Sequence, residues 1–139
     1  MTMGGILVAT NITMAGDEGS ELTFTDSAEG IVTNSIIAYA NGMYGVSSDG
    51  TAILTLEYNN VYGSGSDDYD GLTDPTGTDG NISDDPLFVS WNGDSTYDDD
   101  LSLDPSSPSV DAGNPDAAYD DVDGTTNDMG AYGGPLGSW

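Results

Sequence analysis

The chain has 139 residues, 36% of them hydrophobic, with no Lys, Arg or His against 25 Asp and Glu and a formal net charge of −25. That balance excludes nucleic acid and anionic membrane surfaces as partners, because both are met with Lys or Arg, and it leaves only the terminal amine to form an internal ion pair. Without cysteine there are no disulfides and no thiolate metal sites, and no apolar run approaches the roughly 20 residues of a membrane span.

The acids are 21 Asp and 4 Glu. Asp favours turns and hard-cation loops where Glu favours helices, so the negative charge is expected on loops. Self-repulsion at this charge calls for screening or bound cations. The first residues, "MTMGGILVATNITM", lack the basic stretch of a signal peptide. The expectation is a mature chain or a fragment.

In chain order, short β-branched runs follow one another: "ILVATNITM" (6–14), "ELTFT" (21–25), "IVTNSIIAY" (31–39), "YGVSS" (44–48), "AILTLEYNNVY" (52–62) and "PLFVS" (86–90). Turn signals such as "AGDEGS", "DSAEG", "ANGM" and "SDG" separate them, and no stretch has a helical period. The class is all-β. Asn11, Asn34 and Asn59 each stand in mid-strand before a β-branched residue, 23 and then 25 residues apart. One further strand and two turns fit in each interval, which is one coil of a parallel solenoid. The spacing predicts an amide ladder at Asn11, Asn34 and Asn59, with aliphatic stacks among Val8, Ile12, Val32, Ile36, Leu56 and Val61. A sandwich with Asn in three strands is the alternative.

After Tyr62 the rhythm breaks. Residues 63–85 read as a long acidic Gly/Ser/Asp loop leaving the coil. Residues 86–139 read as a closing strand and a turn-rich terminator, all within one domain whose coils occupy 1–62. The pieces "DPLF" (85–88), "DLSL" (100–103), "SPSVDAG" (107–113) and "DVDGTTNDMGAYGGP" (121–135), in that order, resemble the C-terminal region of secreted right-handed parallel β-helix proteins of the pectate-lyase-like superfamily. "IVTNSIIAYANGMYGV" (31–46) and "LEYNNVYGSG" (56–65) resemble that group's coil repeats. The resemblance implies a short right-handed parallel β-helix of about three coils, with a long acidic loop and a turn-rich C-terminal closing segment. It implies that Met129 and Tyr132, with Leu136 and Trp139 nearby, cover the end of the last coil, where Gly130, Gly133 and Gly134 allow close backbone approach. Relatives often carry Arg before "NDMGAYGG", where this chain has Thr125–Thr126. Cations or backbone amides must then serve Asp111 and Asp128.

Four clusters of carboxylates could hold a cation: Asp67/Asp68/Asp70, Asp84/Asp85, Asp98/Asp99/Asp100 and Asp120/Asp121/Asp123, with Asp128 close by. "DDVDG" (120–124) fails the EF-hand pattern at both ends, and "GSGSDD" (63–68) occurs once where a glycine-aspartate calcium coil needs tandem copies. Ca²⁺ is the cofactor these clusters suggest. Their other reading is a solvated acidic surface. Catalysis is not expected. The lyases of the resembled superfamily use a basic residue beside calcium, and none exists here. A carboxylate pair such as Asp84/Asp85 remains for a glycosidase. Tyr39, Tyr44, Tyr58, Tyr62, Tyr69, Tyr97 and Trp91 could offer a sugar-stacking face or pack loops onto the coil. The sequons at Asn11 and Asn81 differ, since Asn11 falls in the ladder and Asn81 on the loop.

A chain opening directly on a coil strand presents unpaired backbone groups that need a cover. An upstream part of the same polypeptide, or a neighbouring subunit added head-to-tail, would supply it. The expected function is an extracellular structural protein, a self-assembling filament subunit or cell-surface module with cation-compensated acidic loops. The alternatives are a carbohydrate-binding or adhesin module of a larger secreted β-helix protein and, more weakly, a carboxylate-only glycosidase.

Overall fold

The computed structural model describes residues 1–16, 19–93 and 99–137, and these form an all-β fold without a helix. In chain order the strands are β1 (Thr2–Met3), β2 (Ile6–Thr10), β3 (Thr13–Ala15), β4 (Leu22–Phe24), β5 (Glu29–Thr33), β6 (Ile36–Ala38), β7 (Tyr44–Ser48), β8 (Ile53–Glu57), β9 (Asn60–Tyr62), β10 (Asp67–Asp70), β11 (Phe88–Ser90) and β12 (Asp100–Leu103). Three sheets, β1-β4-β7-β10, β2-β5-β8 and β3-β6-β9, are parallel throughout, and each strand pairs with the one three places further along. Ile6 lies opposite Glu29, and Glu29 opposite Ile53, so the chain returns to the same sheet after 23 and then 24 residues. Short β-branched strands suit such narrow faces, and tight bends between them keep the sheets close.

The bend between the second and third sheets is made the same way each time. Asn11, Asn34 and Tyr58 occupy it with φ of 52°, 52° and 54°, a left-handed conformation that Asn tolerates better than most residues. Between the sheets lies one core of Ala9, Leu22, Phe24, Ala28, Val32, Ile37, Val46, Val61 and Tyr69, flanked by Met3, Leu7, Leu54 and Leu56. Each large aliphatic buried there contributes about 1.5–3 kcal/mol. Phe24 packs against Gly30, where a Cβ would come within 2.6 Å of the ring; a glycine is therefore required at that point.

The expected ladders are out of step in part. Ala9, Val32 and Leu56 stack inward, so Val32 and Leu56 do share a rung position, but Val8 aligns with Ile31 and Thr55 and faces solvent. Ile36 aligns with Thr13 and Asn60, whereas Val61 aligns with Ile37. Asn59 is one place past the bend as well. It stands level with Ser35, while Tyr58 is level with Asn34. The Asn spacing of 23 and 25 missed the true return of 23 and 24, and in a strand a slip of one residue exchanges the faces.

Two other expectations change. Residues 63–85 are not simply a loop, because β10 pairs with β7 and extends its sheet, and Ile82 bridges to Asn60 beside β9. "PLFVS" does not rejoin the coil. It pairs antiparallel with β12 in a separate ribbon. Nor does the C-terminal segment close the last coil. Leu103 and Met129 pack on Ile36 and Ala38, so the segment lies sideways along β3-β6-β9 and reaches back to Asn11 on the first coil. The reason is the exposed side of β6: Ile37 points into the core, so Ile36 points out and needs a cover. The glycines do allow close approach. A Cβ on Gly130 would stand 2.8 Å from Thr13 Oγ1 and 2.9 Å from Ile36 Cδ1. Trp139 lies outside the described residues.

Candidate functional site

The polar groups that organise the molecule sit where the second sheet turns into the third. A side-chain ladder runs through Ser35, Asn59 and Asn81. The Ile12 amide donates to Ser35 Oγ at 3.2 Å, the Ser35 amide to Asn59 Oδ1 at 3.1 Å, and the Asn59 amide to Asn81 Oδ1 at 3.1 Å. Each side chain thus receives the backbone of the coil before it. Asn59 Nδ2 donates to Val32 O, and Asn81 Nδ2 to Leu56 O, at 2.8 and 2.7 Å. These amides are buried, so every unmade bond here would carry the full cost of desolvation. Asn34 and Asn11 have a different task. Asn34 Oδ1 accepts from the Asn114 amide, and Asn11 Nδ2 donates to Asn127 Oδ1, Asp128 O and Gly130 O. Both hold the C-terminal segment. Ser35, Asn60, Asn81 and Asn127 were missed by sequence reasoning. Asn81 carried a signal, since it sits one coil from Asn59.

The candidate cation ligands are spread around the molecule, and among the described residues no three acids come together as a metal-binding group. Asp67 and Asp70 lie exposed on β10, and Asp67 Oδ1 accepts from the Asp68 amide. Asp68 accepts from the Ser64 amide and the Ser83 hydroxyl. The Asp84 backbone is clamped by the Asn60 side chain, and Asp85 Oδ1 takes the Tyr39 hydroxyl at 2.7 Å and the Leu87 amide at 3.0 Å. Burial, and then that bond to Asp85, push the Tyr39 hydroxyl above the usual phenol range. Asp98 lies outside the described residues.

Asp120, Asp121, Asp123 and Asp128 are neighbours in the C-terminal segment. Asp121 accepts from the amides of Asp128 and Gly134, and Asp128 Oδ1 accepts from the Asp111 amide at 2.7 Å. The Asp128 carboxylate is thus met by a backbone amide. Burial raises the Asp128 carboxyl above its ordinary value, and the charges of Asp121, Asp111 and Asp123 add to it, against the lowering effect of the Asp111 amide. Four aspartates follow one pattern, Asp-x-Ser/Thr, with the carboxylate closing its own turn. Asp49, Asp100, Asp104 and Asp123 each bind the amide and hydroxyl two residues on. Those bonds, hydroxyl first, lower all four acids below the usual carboxylate range. Much of the Asp excess is thus turn chemistry.

The aromatic residues divide. Tyr39 stacks on Trp91 with centroids 5.4 Å apart and meets Tyr62 and Phe88 edge-on. The benzene ring of Trp91 also lies against Gly16, where a Cβ would be 2.2 Å from it. Tyr58 lies against Gly80 in the same way, Tyr69 is buried, and Tyr97 lies outside the described residues. Neither sequon offers a free amide, since Asn11 and Asn81 both use Nδ2 internally and Asn81 is buried. The expectation of an accessible Asn81 is corrected on that ground.

Two surfaces remain unsatisfied. The outer face of β2-β5-β8 shows Ile6, Val8 and Ile53 at 75, 68 and 70% exposure, with Glu29 between Ile6 and Ile53. The two ends of the stack also differ. The Glu29 amide donates to Gly5 O and the Asn11 amide to Thr33 O, so by alternation the backbone groups of Ile6, Val8 and Thr10 point away from β5. At the other end the chain roofs part of its own stack, the Tyr58 amide donating to Asp79 O and the Val61 amide to Ile82 O. Comparison with family models, with curated proteins and with solved structures found no match for this chain.

Proposed function

We propose that the chain is an extracellular structural module: a short right-handed parallel β-helix of about three coils that completes a longer stack. The observation that carries this reading is the asymmetry of the two ends. One end is partly roofed, at Tyr58 and over β9, by residues 79–82 of the chain itself, whereas no described segment pairs with the outer edges of β1, β2 and β3. An edge of aligned, unpaired amides beside exposed aliphatic residues is a template for another coil. That coil comes from further residues of the same polypeptide or from a neighbouring subunit. Asn81 and Ile82 already stand over Asn59 and Asn60, so head-to-tail growth at the roofed end would have to displace them. The resemblance to the C-terminal region of pectate-lyase-like β-helix proteins fits the same role. Cations such as Ca²⁺, held diffusely or at the loops, would offset the charge of −25.

The test combines light scattering with electron microscopy on the purified chain, at low salt, in calcium and in EDTA. Association that buries the Ile6, Val8 and Thr10 amides, seen as slowed hydrogen exchange, is the expected result, with EDTA weakening it. A monodisperse monomer in every condition, with those amides exchanging freely, overturns the subunit form of the reading. If a version extended at its N-terminus by coil-like repeats melts no higher, the completing-module form falls too.

A further inference from the structure

The last strand of the middle sheet, β8, carries a second open edge of a different kind. The Ile53 amide donates to Ala28 O at 2.9 Å, so alternation turns the backbone groups of Leu54 and Leu56 away from β5. The edge is closed at both extremities. Leu56 O is taken by Asn81 Nδ2 at 2.7 Å and the Tyr58 amide by Asp79 O at 2.9 Å. At the other extremity Gly71 packs so near Ser48 O that a Cβ there would lie 1.8 Å from it.

Between these closures the Leu54 amide and carbonyl and the Leu56 amide face a groove of about 530 Å³. The turn behind the opposite wall bonds largely to itself and reaches β8 through Asn81 Nδ2 on Leu56 O. The Thr76 amide donates to Asp74, Thr78 Oγ1 to Pro75 O, and the Gly77 amide to Asn81 O. Leu54, Leu56 and Leu72 line the groove with half-buried apolar surface, while Glu57 and Asp79 give it an acidic rim.

We propose that this groove takes an extended peptide segment as an added strand on β8, its backbone bonding Leu54 and its flanking Lys or Arg side chains meeting Glu57 and Asp79. Strand addition to a sheet edge draws affinity from backbone bonds and specificity from alternate side chains. The open length, Ala52 to Leu56, accepts about five residues at roughly 3.3 Å each. Charge decides the occupant. A second copy of this chain brings another −25 to an already acidic rim, whereas a basic segment is drawn to it.

The experiment titrates the ¹⁵N-labelled full chain with the capped peptide Lys-Val-Thr-Val-Lys at low salt. Saturable shifts largest at the Leu54 and Leu56 amides are expected. Affinity should drop at least about tenfold when the central peptide amides are N-methylated, and again when both lysines are replaced by glutamate. The variant Leu72→Glu should weaken binding similarly, and the N-methylated peptide tests the same point with the protein unaltered. Absence of saturable binding, equal binding of the N-methylated peptide, or shifts centred on Ile6, Val8 and Ile31 would each overturn the proposal. So would protection of the Leu54 amide by self-association without peptide, which assigns the groove to a second copy.

Discussion

Val32 in β5 and Met129 in the C-terminal segment are both sealed from solvent, at 0 and 1% exposure, but different chemistry holds them there. Val32 is one member of a parallel register that repeats through Ala9 and Leu56. Met129 belongs to a segment whose described residues form no strand after β12. It is fixed by side-chain amides at Asn11 and Asn34, by its own amide donating to Ser109 O, and by glycine contact with Thr13 and Ile36. Repetition secures the coil body, whereas single side chains secure the lateral segment. Damage should therefore spread in the first and stay local in the second.

The largest effect is expected from Asn59→Leu. It keeps the volume but leaves the Ser35 amide and Val32 O without their present side-chain partner inside the body, while Asn81 Oδ1 keeps the backbone amide of residue 59. Unsatisfied buried groups at about 1–3 kcal/mol each give a loss of about 3–5 kcal/mol, read from the urea midpoint, with every coil unfolding together. A loss below about 1 kcal/mol would mean that the ladder does not bind the coils to one another.

Gly130→Ala comes next. Its φ of 99° and the contacts with Thr13 and Ile36 strain any side chain, at about 2 kcal/mol. Hydrogen exchange should accelerate at the Met129 and Gly130 amides while Val32 stays protected. Equal acceleration at Val32 would erase the distinction between the two regions. Asn11→Ala removes one half-buried amide that serves three acceptors. It should cost about 1–2 kcal/mol and expose residues 127–134 to limited proteolysis before the coils.

The smallest effect is in pH dependence, and its sign sets Asp128 apart from the aspartates that close their own turns. Asp49, Asp100, Asp104 and Asp123 titrate lower folded than unfolded. Their stabilisation is present above about pH 4 and is lost as pH falls through the folded values. Asp128 runs the other way. Its pKa is raised, so its contribution is full below about pH 4 and is lost as pH rises through the folded value. Asp128→Asn keeps an acceptor for the Asp111 amide and should melt higher than the parent at pH 7, with the gap closing toward pH 3. A constant gap across that range would show that charge is not what the substitution removes.

The all-β class, the six strand runs and the parallel pairing were legible because β-branched runs and turn residues recur at one spacing. The close approach of Gly130 and the amide bonds to Asp128 could be anticipated from residue type. The ladder register could not. Asn34 and Asn59 look equivalent along the chain, and a single extra residue between them moves Asn59 from the bend to the next place. Strand β10, "DDYD", hid within an acidic stretch because only Tyr69 turns inward, and its pairing with β7 outweighs the low strand preference of Asp.

By itself, the sequence determined that this protein forms short strands and carries much of its charge on turns. Those properties follow from local preference. Tertiary structure alone decided which amides stack, that the C-terminal segment lies along the third sheet, and that β8 keeps an open edge. Each depends on where residues tens of positions apart meet, and in strands one residue of register decides whether a side chain faces the core or the solvent.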